Sequence, residues 1–134
     1  MFTELEVWNL FWLASLSNGV WFAGLAFLLW VSFRAANMAG ESDNLIAKIV
    51  VTAFCLLIVF QINFNGAAVE WAGNGTADAL LFLQTSGTEI SQGAQRFISS
   101  AEPGKEFNLM PNLIGGLFMA VVLVMQLTSI WNKK

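Results

Sequence analysis

Residues 7–33 read VWNLFWLASLSNGVWFAGLAFLLWVSF, a stretch of 27 without a charged side chain. As a helix it extends roughly 40 Å at 1.5 Å per residue. The hydrocarbon core of a bilayer is about 30 Å thick and takes about 20 helical residues to cross, so the stretch predicts a transmembrane helix with room to tilt. Thr3 followed by Glu6 matches a capping box, in which each side chain satisfies a backbone donor of the first turn, and Arg34 marks the far end. Trp12 and Trp30 lie 18 positions apart, roughly 27 Å along a helix. Together with Trp8 they fit two interfacial aromatic belts. Trp21 falls between the belts and is expected to pack against a neighbouring helix. The start Met1-Phe2-Thr3-Glu4-Leu5-Glu6 lacks the positive region of a signal peptide, and the apolar stretch is too long for a signal core, so the first span is expected to be retained. No lipidation motif appears at either end.

Two further spans follow from the same reasoning. Residues 45–64 are uncharged after Lys48 and rich in Val, Ile, Leu and Phe. Residues 110–131 open on Met110-Pro111, where a proline suits the first helical turn because its missing N–H is not needed there. Trp131 is the expected interface anchor of this span, and Lys133 and Lys134 are expected at the headgroups. The connector over residues 35–48 carries Gly40-Glu41-Ser42-Asp43-Asn44 as turn and cap material. Composition agrees: 57% of the 134 residues are hydrophobic and 11% charged, against about 25% charged in a soluble domain. The expectation is an all-α integral membrane protein, one membrane domain over residues 1–134 with three transmembrane helices.

Residues 65–108 are too polar to cross a bilayer. On a helical wheel over residues 77–101, Leu80, Leu83, Gly87, Ile90, Ala94, Phe97, Ile98 and Ala101 share an arc of about 100°, opposite Asp78, Glu89 and Arg96. This pattern predicts an extramembrane amphipathic helix between the second and third spans, ended by Pro103-Gly104, with Ser86-Gly87 as a place where it could divide. Interfacial helices usually hold Lys or Arg on the polar face. Here there is only Arg96, so the face formed by Leu83, Ile90, Ala94 and Phe97 is expected to dock on protein rather than lipid.

With three spans, the N-terminus and the long segment share one side of the membrane. The other side holds Arg34, Lys48, Lys133 and Lys134, against Arg96 and Lys105 on the first. The positive-inside rule then places the C-terminus in the cytoplasm and the acidic long segment outside, in a membrane of the bacterial inner type.

The chemistry is sparse. There is no histidine, hence neither the commonest general base near neutral pH nor the usual ligand for copper, zinc or haem. Glu70, Asp78, Glu102 and Glu106 follow no spaced ligand pattern and read as a solvated acidic face. The lone Cys55 excludes a disulfide framework and reads as a small core hydrophobe. Asn74-Gly75-Thr76 fits a glycosylation sequon and equally a helix-capping turn. No Asp, Glu, Lys or Arg lies deep in the spans, which speaks against a proton or ion path built from this chain alone. The polar residues there are Ser15, Ser17, Asn18, Thr52, Gln61, Asn63, Gln126, Thr128 and Ser129, and Asn18 is expected to bond between helices. No catalytic, cofactor-binding or metal-ligating set is expected, and the net charge of −3 without a basic cluster excludes nucleic acid.

What remains is packing. Ser15, Gly19 and Ala23 form a small-residue stripe on the first span, and Gly116 and Ala120 repeat it on the third; such stripes let helices approach closely in lipid. The sequence therefore points to a non-catalytic accessory subunit that packs against other integral membrane subunits and the lipid bilayer, with respiratory and oxygenase complexes as the commonest hosts of such chains. The alternative is a homo-oligomeric channel or transport component lined by Asn18 or Gln61.

Overall fold

The computed structural model describes residues 2–132, which are all-helical, with no strand among the described residues. The helices are α1 (Glu4–Gly40), α2 (Leu45–Thr85), α3 (Gln92–Ser100) and α4 (Leu113–Trp131). Helices α1, α2 and α4 are each long and apolar enough to cross a membrane. The lysine pair at 133 and 134 lies outside the described residues.

Several element bounds differ from those the sequence predicts, each for a local reason. Helix α1 runs on through Gly40, and the connector shrinks to residues 41–44, because Asn44 Oδ1 accepts from the N–H groups of Ile46 (3.0 Å) and Ala47 (3.2 Å) and so caps α2 at once. Helix α2 does not stop near Phe64 but continues for 41 residues, roughly 61 Å at 1.5 Å per residue. Asn74-Gly75-Thr76 is therefore helix interior, not a capping turn; the Thr76 hydroxyl donates back to Ala72 O at 2.8 Å. The single helix expected over residues 77–101 is divided. Its first part belongs to α2, which ends in a Schellman motif: Gly87 takes φ +89°, its N–H donates to Gln84 O (3.2 Å), and Thr88 N–H donates to Leu83 O (3.1 Å). A left-handed residue of this kind suits glycine, which has no Cβ to clash. At the third span, Pro111 lies just before the helix, since Asn112 is the N-cap and accepts from Gly115 N–H at 2.7 Å.

The described chain forms two compact units. The first joins the start of α1, through Val20, with Gly66–Asn108. Its core is Val7, Leu80, Leu83, Ile90 and Ala94, all buried, with Trp8, Ala79, Phe97 and Ile98 packed against them. The capping box appears as read: Thr3 N–H donates to Glu6 Oε2 (2.8 Å) and Glu6 N–H to Thr3 Oγ1 (3.3 Å). The second unit joins Trp21–Asn65 with the chain from Leu109 onward. There Ala36, Ala39, Cys55 and Ile130 are buried together with Val51 against them, so small side chains set the closest packing.

Candidate functional site

The docking face predicted on Leu83, Ile90, Ala94 and Phe97 is occupied by the chain itself. Leu83, Ile90 and Ala94 are buried, and Phe97 is half-buried between two α1 rings, 5.2 Å from Trp8 and 5.4 Å from Phe11, both edge-to-face. Glu89 and Arg96, on the opposite side, are exposed. Although the helix is divided, the wheel keeps its face, because the turn after α2 returns α3 to the same apolar cluster.

A polar clasp closes this packing, and sequence reasoning missed it. Ser91 is the N-cap of α3, and its hydroxyl accepts from Ala94 N–H at 3.1 Å. Glu4 receives both donors of Ser91, the N–H at 2.8 Å and the hydroxyl at 2.6 Å, as well as the Trp8 indole N–H at 3.0 Å. These bonds, led by that of the Ser91 hydroxyl, hold the Glu4 carboxyl below the ordinary range. Glu4 and Ser91 are 87 positions apart, so nothing local in the sequence links them.

Further along the same unit, Asn74 is buried and its Oδ1 accepts from Glu102 N–H at 3.0 Å. The asparagine of the sequon is thus a structural tie for the chain leaving α3. Lys105 bonds Glu70 at 3.0 Å and also Glu102, and these contacts, Glu102 first, raise its pKa. Two of the four carboxylates read as a solvated face are therefore paired.

In the second unit the buried polar contact is Gln126 Nε2 donating to Ser32 Oγ at 2.7 Å, while the Ser32 hydroxyl donates to Leu29 O at 2.7 Å. Gln126 Oε1 is buried without a hydrogen bond. Gln126 stood out in the sequence as a polar residue within a span; Ser32, in the run Leu28-Leu29-Trp30-Val31-Ser32-Phe33, did not. At the end where the chain carries Arg34 and Lys48, the Arg34 guanidinium lies 5.3 Å from the Trp30 ring centre and Trp131 Nε1 donates to Thr52 Oγ1 at 3.1 Å.

The small-residue stripes have no covering within the described chain. Gly19, Ala23 and Ala120 are exposed, and Ser15 and Gly116 are partly so. A Cβ added at Gly19 would meet nothing within 4 Å, and at Gly116 only Pro111. Trp21, expected to pack against a neighbouring helix, is also exposed, at 57%. The small residues that are buried are Ala36 and Ala39, clustered with Cys55 and Ile130. Asn18 and Gln61 are half-buried. Among the described residues no three His, Cys, Asp or Glu side chains are grouped to hold a metal ion. Comparison with known proteins finds no matching family, no matching curated sequence and no matching solved structure.

Proposed function

We propose that the chain crosses a bilayer with α1, α2 and α4 and serves as a non-catalytic accessory subunit, packing against other integral membrane subunits to stabilise or position a larger complex. The observation that carries this reading is how little of its apolar surface the chain covers: the most apolar stretches of α1, α2 and α4 are only 11%, 17% and 17% buried. In water that exposure is not sustainable for a monomer, so lipid or protein must supply the covering. The uncovered stripe Ser15, Gly19 and Ala23 favours protein for part of it, because small side chains admit a neighbouring helix backbone where lipid gains nothing from them. The Lys and Arg distribution orients the proposal, with the C-terminus cytoplasmic and the α3 side external.

Purification in mild detergent followed by mass spectrometry tests it. Other membrane subunits should co-purify, and Gly19→Leu should deplete them while membrane insertion persists, since a Cβ at Gly19 has no atom of the described chain crowding it within 4 Å. Recovery of this chain alone, in one copy or several, or equal yields from Gly19→Leu and the wild type, overturns the reading.

A further inference from the structure

In the first unit a cleft of about 410 Å³ opens beside α2, a volume within the range of small-ligand sites. One wall is Trp71, Gly75 and Asp78, spaced four and three apart and so on one helix face; the other is the turn Gly104-Lys105-Glu106. The glycines keep the space open. A Cβ at Gly75 or Gly104 would meet nothing within 4 Å, and Gly104 takes φ +75° in the turn.

The charges select a cation. Lys105 is already bonded to Glu70 and Glu102, so its charge is doubly matched and not free for an anion. Asp78 and Glu106 line the cleft with no hydrogen bond or ion pair to any described residue. A bare metal ion is a poor fit, since no three ligands converge. An organic ammonium needs less: one or two carboxylates and an aromatic surface for its N-methyl or methylene groups. Trp71, exposed, offers that surface, with the Phe107 ring perpendicular to its own at 6.3 Å and 86°.

We propose that this cleft binds an organic ammonium group of the kind carried by choline or ethanolamine, either free or as a lipid headgroup. The proposal does not depend on the accessory-subunit reading. It is tested by calorimetric titration of the full chain in maltoside micelles with choline chloride at constant ionic strength, sodium chloride serving as the control. Saturable choline binding is expected. Asp78→Asn combined with Glu106→Gln, and separately Trp71→Leu, should weaken it about ten-fold or more; Glu89→Gln, away from the cleft, should not change it. Gly75→Leu should block it at unchanged helical content. Choline heats no different from those of sodium, or unaffected by both the carboxylate pair and Trp71→Leu, overturn the proposal. Discs of phosphatidylcholine and of phosphatidylglycerol then separate the sources. Loss of choline binding in the first alone assigns the site to a lipid headgroup, and binding in both assigns it to a free amine.

Discussion

The two units solve the same packing problem with different materials. The first buries a cluster without a polar member, Val7, Leu80, Leu83, Ile90 and Ala94, and places its hydrogen bonds outside that cluster, at the surface between Glu4 and Ser91 and from the Glu102 N–H to the buried Asn74. The second packs alanines and Cys55 closely and buries an amide–hydroxyl bond between Gln126 and Ser32. Under the proposed membrane insertion, the difference is what water would dictate around the α3 cluster and lipid tails around the second unit. Against water, removing Leu and Ile side chains from solvent contributes roughly 1.5 to 3 kcal/mol each, so apolar burial suffices. Among lipid tails that gain vanishes, and close approach plus interhelical hydrogen bonds must hold the helices.

The largest effect should come from a charge in the first cluster. Ile90 is 6% exposed, so Ile90→Asp forfeits its burial and places a carboxylate among apolar side chains, a cost of at least about 3 kcal/mol. α3 should detach, and the segment over residues 86–108 should become protease-sensitive while α4 stays resistant. Glu89→Gln, one position away and exposed, should leave digestion unchanged. Equal protease resistance in Ile90→Asp and the wild type would mean that the cluster does not hold α3.

That pair of substitutions also marks how far the sequence could be read. Periodicity identified Leu83, Ile90, Ala94 and Phe97 as one face because it samples side chains every 100°, whether or not the helix is continuous. It offered Ser86-Gly87 as a place of division without deciding it, since the Schellman turn depends on two backbone bonds and one left-handed residue. Nor could it extend α2 past Phe64. Residues 65–76 are rich in Gly and Asn, which argue locally for a turn, yet they are helical, and Glu70 and Asn74 within them bond Lys105 and Glu102. The three apolar spans were legible because twenty uncharged residues are a signal no local context overrides. The Glu4–Ser91 clasp was not, because pairing across 87 positions leaves no mark in composition or period.

In the second unit the expected effects are smaller and opposite in logic. Ser32→Ala removes the acceptor of Gln126 Nε2 and leaves the whole buried amide without a partner, since its Oε1 has none already. The cost should be about 1–2 kcal/mol, read from unfolding in mixed micelles. Gln126→Leu deletes the amide altogether, and Ser32 keeps its bond to Leu29 O; stability should change little or rise. Were Gln126→Leu the more damaging of the two, the buried bond would be a net stabiliser and the contrast between the units would weaken.

The smallest effect belongs to the edge of the first unit and depends on pH. Glu4 is held below the ordinary carboxylate value, chiefly by the Ser91 hydroxyl and then by the Ser91 N–H and Trp8. A carboxyl whose pKa is lower in the folded state stabilises that state when ionised. The contribution is therefore complete above the unfolded value of about 4.3, and is lost as pH falls through the lower folded value. Because Ser91 is exposed and Glu4 only half-buried, the gain is about 1 kcal/mol at most. Amide exchange at Ser91 and Ala94, referenced to the intrinsic rate at each pH, should lose protection between pH 5 and 3 by roughly five-fold. Glu4→Gln should show the reduced protection at every pH and no acid transition, while the amides at Leu80 and Leu83, inside the cluster, should stay protected throughout. An acid transition that survives in Glu4→Gln would place the titrating group elsewhere and remove the clasp from the account of how α3 is held.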